Sequence, residues 1–108
     1  MPTAVEVAQS LQRAADAASD AFDAAVAANR NGNFAKLHDA KITAADLAAA
    51  AINKALDGDP AVAGSQQQLD AITDEIRSKL DTLKEIQQWL KLLNELVQSA
   101  TQVNRFLV

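Results

Sequence analysis

The chain has 108 residues, a length that suits one domain. It contains no cysteine, which excludes a disulfide framework, a thiolate metal site and a thiol nucleophile. Ten basic residues against 14 acidic ones give a net charge of -4, which argues against nucleic acid as a partner because phosphate binding needs clustered Lys and Arg. Alanine occupies 24 positions and tyrosine none, so the composition predicts an all-helical protein.

The N-terminal sequence lacks the basic region and the long apolar stretch of a signal peptide. No run of about 18 apolar residues is present, so we expect no transmembrane segment. The sequence therefore predicts a cytoplasmic protein, and export by a dedicated machine without a cleaved leader stays open.

The first predicted helix covers residues 3–30. Thr3 and Glu6 have the spacing of a capping box, in which each side chain bonds the backbone N–H of the other residue. An apolar row of mostly small side chains then follows at steps of three and four: Ala4, Ala8, Leu11, Ala15, Ala18, Phe22 and Ala25. Asn31-Gly32 tolerates the left-handed conformation in which helices end, and we expect it to end this one.

The second predicted helix covers residues 34–57. It carries two adjacent apolar rows, Phe34/Leu37/Ala44/Leu47/Ala51/Ala55 and Ile42/Ala45/Ala49/Ile52/Leu56, and so wide an apolar arc predicts two neighbouring helices. Thr43 followed by Asp46 resembles a weak capping motif that would start a new helix after Lys41, but alanine on both sides favours one continuous helix. Gly58 and Pro60 end it.

The third predicted helix covers residues 65–106 and begins after a Ser65 cap. An earlier start at Pro60, with Asp59 as the cap, is the alternative. Its apolar row is Leu69, Ile72, Ile76, Leu83, Ile86, Leu90, Leu93, Val97 and Ala100, interrupted at that spacing by Lys79. Together the three helices predict a single domain of the all-α class, an antiparallel three-helix bundle with an Ala-rich hairpin and a long Leu-rich third helix.

The predicted helix lengths do not match. A continuous third helix would be about 60 Å long, against about 35 to 40 Å for the first two, so its apolar end would extend beyond them. Leaving large apolar side chains in water is costly, which favours a protein partner or a second copy on this surface. The predicted interface residues are Trp89, Leu92, Leu93, Leu96, Val103 and Phe106. The alternative is a monomeric bundle whose Leu-rich and Ala-rich faces cover one another.

The first two helices are expected to run antiparallel and to pack closely, because their facing rows are lined by methyl groups. In that arrangement Phe22 meets Ile42 in one layer, and Leu11 meets Ile52 in another. Ala18 is expected to lie buried between the two helices.

Candidate catalytic groups are sparse. His38 is the one imidazole, has no evident base partner, and is expected to be a surface or half-buried residue. Asp16, Asp20 and Asp23 share a helix face, but they spread over about 10 Å and cannot converge on one ion, so we expect a solvated row. The sequence predicts no enzyme activity, no cofactor and no metal site.

Two local resemblances are present. The stretch from Ala48 to Pro60 resembles the end of the second helix of a tetratricopeptide repeat, K-A-L-x-x-D-P, although no second copy of the repeat occurs. The overall plan, with Asp59-Pro60 between helices and an apolar C-terminal helix, is similar to the small helical-hairpin subunits of bacterial secretion needles.

The sequence as a whole predicts a non-enzymatic protein-interaction or assembly module that uses its third helix and associates with itself. One alternative is a small leaderless subunit of a secretion apparatus, or the chaperone of such a subunit. A second alternative is a helical carrier in which the wide Leu face lines a cavity for an apolar ligand.

Overall fold

A computed structural model describes residues 1–108 and contains four α-helices and no strand. The helices are α1 (Ala4–Ala28), α2 (Ala35–Ala50), α3 (Val62–Ser78) and α4 (Ile86–Asn104). The prediction of an all-helical chain is confirmed. The prediction of three helices is wrong, because the segment expected to form one long helix divides into α3 and α4.

The division falls at residues 79–85, where the chain turns back without a glycine or a proline. Two side chains bond carbonyl oxygens of this turn: Trp89 Nε1 donates to Leu83 at 3.0 Å, and Asn29 Nδ2 donates to Lys84 at 2.7 Å. These bonds give the Leu83 and Lys84 carbonyl oxygens donors in place of the backbone N–H groups that a continuous helix would supply. Folding α4 back along α3 also buries apolar surface that a straight helix would leave in water, and that gain explains the break.

The four helices alternate in direction. α1 packs beside α2 and α3, α4 packs beside the same two and meets α1 across the centre, and α2 and α3 do not contact each other. α1 and α3 run parallel, because Arg13 meets Asp70 at 3.4 Å and Asp20 meets Arg77 at 3.1 Å further along both helices. The bundle is elongated, with principal extents of 46 × 21 × 16 Å.

α2 is continuous through Thr43, as predicted, and the hydroxyl of Thr43 donates to the Asp39 carbonyl at 2.9 Å. It ends at Ala50, short of the predicted residue 57. The left-handed conformation occurs after α2, at Asn53 (φ 66°) and Gly58 (φ 91°), so its predicted place at Asn31-Gly32 is wrong.

α3 begins at Val62, so the start after Ser65 is wrong and the earlier alternative is closer. The cause is Asp59, whose Oδ1 accepts the Ala61 N–H at 2.9 Å and orders the chain before the helix. The preceding crossover from α2 is tied to the chain end, where Ala55 and Val108 exchange backbone bonds of 3.1 and 2.8 Å.

One continuous core contains 24 buried apolar residues drawn from all four helices and the segments beside them. Small side chains of α1 form much of it, and Ala17, Ala18, Ala21 and Ala25 have no exposed surface. The predicted burial of Ala18 is confirmed. The accessible surface of the chain is 6039 Å², close to the roughly 5800 Å² expected for a compact monomer of this mass.

The predicted capping box at the start of α1 is present. The Glu6 N–H donates to Thr3 Oγ1 at 3.1 Å, and the Thr3 N–H donates to Glu6 Oε1 at 2.9 Å. The Thr3 backbone bond, with a smaller contribution from the Thr3 side chain, holds the pKa of Glu6 below its ordinary value of 4.5. The charged carboxylate accepts the Thr3 N–H more strongly than the neutral acid does, so a pKa lower in the folded than in the unfolded chain stabilises the fold at pH values above the unfolded pKa.

We therefore expect acid to remove this contribution. It is fully present at neutral pH and is lost as the pH falls through the lowered pKa of folded Glu6. Urea unfolding of wild type and Glu6→Gln across acidic pH is the measurement, and the stability difference between them should shrink below pH 4.5. A difference that stays constant with pH would contradict a role for the Glu6 charge.

Candidate protein interface

The predicted interface residues lie inside the chain. Trp89, Leu93, Leu96 and Val103 have no exposed surface, Leu92 is 8% exposed and Phe106 is half-buried. Because α4 folds back over α3 and packs against α1 and α2, other helices of the same chain cover the apolar surface from which the interface was inferred. The structure brings these residues together as core, and they present no open docking surface.

The exposed apolar side chains lie elsewhere, and two of the largest are Ile42 and Ile52, which are 43% and 65% exposed. Ala45 and Ala49, between them, are also exposed. Steps of three, four and three residues place all four on one side of the helix. We call Ile42, Ala45, Ala49 and Ile52 the α2 outer face.

Ile52 belongs to this face although α2 ends before it. Ala51 and Ile52 continue the helix as a tighter turn, their N–H groups donating to Ala48 and Ala49 carbonyl oxygens at 3.3 Å. The face therefore extends as one ridge, roughly 16 Å between the Cα atoms of Ile42 and Ile52 at helical rise.

The two apolar rows of α2 have different surroundings. Leu37, Ala44 and Ala51 of the first row are buried, and the helix packs against α1 and α4. The prediction of two neighbouring helices is confirmed, but they leave the second row exposed, and that row without the partly buried Leu56 is the α2 outer face. Ile52 is 65% exposed and does not close a buried layer with Leu11 as predicted, whereas Ile42 is 43% exposed and its pairing with Phe22 stays a prediction.

The second apolar row of α2 was the feature of the sequence from which this exposed surface could have been predicted. A helix that packs on one side and meets water on the other should carry polar residues on its outer side. On α4 the corresponding positions do so, with Gln88, Lys91, Glu95 and Gln98 all exposed. On α2 the middle of the outer side is isoleucine and alanine, and the packing of this bundle does not require them there.

Charged residues precede and follow the α2 outer face in the sequence. Lys36 and Asp39 are exposed before Ile42, and Lys54 and Asp57 are exposed after Ile52. Lys41 is directed to the α1 side, where its Nζ lies 4.9 Å from the centre of the Phe22 ring. Lys36 and Asp39 line the depression between α2 and α4, and Lys54 and Asp57 follow the end of the helix, so these charges do not border the ridge.

The candidate catalytic residues are not brought together. His38 is exposed and meets the Phe22 ring edge-on, with ring centres 5.7 Å apart. Asp20 pairs with Arg77 at 3.1 Å, Asp16 accepts from Gln12 at 3.1 Å, and Asp23 is exposed. No group of three or more His, Cys, Asp or Glu side chains is placed to hold a metal ion.

The surface depressions are open and mostly polar. One of about 280 Å³ lies between α3 and α4, and its wall includes Glu75, Lys79, Lys91 and Glu95. A second of about 280 Å³ lies between α2 and α4 and is lined by Lys36, Asp39, Ala40, Thr43, Leu90, Asn94 and Val97. None of the helices has the length and apolar character needed to cross a membrane.

Comparison with known proteins assigns this chain to no family. No protein-family model, no curated protein and no solved structure matches the chain. The α2 outer face, an exposed apolar ridge, is therefore the candidate site on the evidence of its own residues.

Proposed function

We propose that this chain is a non-enzymatic protein-interaction module whose docking surface is the α2 outer face. One observation carries the proposal: α2 places Ile42, Ala45, Ala49 and Ile52 on one exposed stripe, whereas the exposed Val5 and Val26 of α1 lie near opposite ends of that helix. This replaces the predicted third helix as the docking element, because the apolar residues of that segment are core.

The chemistry of the ridge suits another helix as the bound element. Alanines at its centre leave room for a partner backbone to approach closely, and isoleucines at its ends supply the large side chains that anchor such a contact. Complete burial of an isoleucine contributes about 1.5 to 3 kcal/mol. Ile42 and Ile52 begin 43% and 65% exposed, so each would gain part of that amount.

A photo-reactive amino acid placed on the ridge tests the proposal. At position 45, in cells that naturally express the protein, we expect a discrete protein adduct that mass spectrometry identifies. The matched control is position 71, since Ala45 and Ala71 are both exposed alanines and α3 does not contact α2. We expect no adduct there.

Disruption of the ridge should abolish the adduct. Ile42→Lys places a charge on the apolar face and should remove the adduct formed at position 45. Val26→Lys is the matched control, because Val26 is 40% exposed on α1 against 43% for Ile42, and it should leave the adduct unchanged. The absence of an adduct at position 45, or equal adducts at positions 45 and 71, would overturn the proposed function.

A further inference from the structure

We propose that residues 79–85 are a hinge through which this chain exchanges α4 with a second copy of itself. In the exchanged dimer the hinge straightens, α3 and α4 form one continuous helix, and α4 packs on the α1, α2 and α3 of the other copy. Each copy then receives the contacts that its own α4 makes in the monomer. The inference goes beyond the proposed function and does not use the α2 outer face.

The hinge is built from residues that favour a helix. Five of its seven residues are strong helix formers, namely Lys79, Leu80, Leu83, Lys84 and Glu85. The other two connections contain helix breakers: Gly32 lies in the first, and Gly58 (φ 91°) and Pro60 lie in the second. Of the three connections, the hinge is therefore the one whose own sequence is compatible with a continuous helix.

The first half of the hinge already has helical hydrogen bonds. The Leu83 N–H donates to the Lys79 carbonyl at 2.9 Å, which is the bond of an α-helix. The Thr82 N–H donates to the same carbonyl at 3.2 Å, as in a tighter helical turn. The chain leaves helical geometry over residues 83–85, and Glu85 is extended with a ψ of 129°. Straightening therefore changes the backbone of only a short stretch before α4.

The bend leaves backbone donors without a partner. Six N–H groups in and just after the hinge donate to no group of the chain, and they belong to Asp81, Lys84, Glu85, Ile86, Gln87 and Gln88. In a continuous helix each would donate to the carbonyl oxygen four residues earlier. Local hydrogen bonding therefore favours the straight form, and the bent form depends on the tertiary packing of α4.

A second copy can supply that same packing. The bonds that hold the bend are those from Trp89 to the Leu83 carbonyl and from Asn29 to the Lys84 carbonyl. In the straight form the N–H groups of Gln87 and Gln88 take over these two carbonyl oxygens. The buried surface of α4 is covered in both forms. What favours the monomer is the high effective concentration of α4 beside its own core, on the order of 1 mM for a short connection.

Crosslinking within and between chains tests the exchange. We expect dimer to form when the protein is held at about 1 mM near the urea midpoint and the urea is then removed, and size-exclusion chromatography separates it from monomer. Glu75 and Glu95 are exposed and line one depression between α3 and α4, and the chain has no cysteine of its own. In the variant with Glu75→Cys and Glu95→Cys, a short bismaleimide should link one chain to itself in the monomer. In the dimer it should link two chains, as a denaturing gel shows.

A second cysteine pair is the matched control for the crosslink. Asp20 of α1 and Arg77 of α3 meet at 3.1 Å, and neither helix is exchanged. In the variant with Asp20→Cys and Arg77→Cys, the bismaleimide should therefore link each chain to itself in both monomer and dimer. A dimer formed by surface docking would give links within one chain for both cysteine pairs.

Proline at the hinge should remove the dimer and leave the monomer folded. Glu85 has a φ of -78°, which proline adopts, and its N–H donates to no group of the chain. In a continuous helix the same proline would lie in the interior and break it. We expect Glu85→Pro to lose all detectable dimer while keeping the wild-type circular dichroism spectrum. Glu85→Ala is the matched control, since it removes the same carboxylate, permits the helix and should keep the dimer.

Alanine at the hinge should have the opposite effect. Threonine is a poorer helix former than alanine, and two hinges straighten in each dimer. We expect Thr82→Ala to raise the association constant about tenfold by sedimentation equilibrium after the same urea treatment. Thr43→Ala is the matched control, because Thr43 is an exposed residue of α2, which is helical in monomer and dimer alike, and it should leave the constant unchanged.

Three results would overturn the exchange. The first is a chain that stays monomeric after the urea treatment in both wild type and Thr82→Ala. The second is a dimer in which the 75–95 crosslink remains within one chain. The third is a dimer that forms equally well with proline or alanine at position 85. A crosslink between chains in the dimer, lost with Glu85→Pro and increased with Thr82→Ala, supports it.

Discussion

Replacing Trp89 by alanine is expected to destabilise the fold by about 3 to 5 kcal/mol. The side chain is the largest in the core and has no exposed surface, so its removal leaves a cavity among α4 and its neighbours. The substitution also removes the Nε1 bond to the Leu83 carbonyl at 3.0 Å, which holds the turn between α3 and α4. Against a typical total stability of about 5 to 15 kcal/mol, such a loss would leave a marginal fold.

Urea unfolding followed by circular dichroism is the measurement, since the variant has no tryptophan to report by fluorescence. Trp89→Phe separates the two contributions, because phenylalanine keeps much of the packing but cannot donate to Leu83. We expect it to cost about 1 to 3 kcal/mol, the range for leaving one buried acceptor unpaired. A loss below about 1 kcal/mol for Trp89→Ala would mean that the indole does not fill the core as described.

The sequence allowed the helical class to be predicted, because the apolar periodicity is local information. It left the break at residues 79–85 unpredicted for the same reason. Lys79 interrupts the apolar row, but no glycine or proline marks a turn. The turn depends on bonds from Trp89 and from Asn29, and Asn29 lies 55 residues away from the carbonyl it binds. Contacts at that separation leave no periodic signal.

Because the break was not predicted, the predicted interface was also wrong. A straight helix from residue 65 to residue 106 would expose Trp89, Leu92 and Leu96, whereas two antiparallel helices cover them. The number of helices therefore decides which apolar residues remain for a partner. Once four helices are in place, two of the exposed large apolar side chains, Ile42 and Ile52, lie on α2, where the second row was visible in the sequence but was assigned to the core.

The end of α2 was also predicted wrongly from local sequence, at residue 57 instead of Ala50. Alanine and leucine as far as Leu56 favour a longer helix, yet the chain leaves helical geometry at Asn53 with φ 66°. The tertiary reason is the C-terminal segment, whose Val108 and Phe106 bond the backbone of Ala55 and Asp57. These bonds require extended backbone at residues 55–57, and they outweigh the modest helix propensity of the local sequence.

Replacing Ala18 by leucine is expected to destabilise the fold by about 1 to 3 kcal/mol through overpacking. Ala18 has no exposed surface and lies in the small-residue side of α1, where the methyl groups let neighbouring helices approach closely. Three added carbon atoms have no space there unless the helices move apart, and that movement would loosen contacts along the whole face.

Ala27→Leu is the matched control for Ala18→Leu, because it makes the same change at an exposed position of the same helix. Leucine and alanine have similar helix propensities, so the control should change stability by less than about 0.5 kcal/mol. Urea midpoints of the two variants give the comparison. If the two variants lowered the urea midpoint by the same amount, the close approach of helices along α1 would not depend on alanine. The tight packing inferred for this bundle would then be wrong.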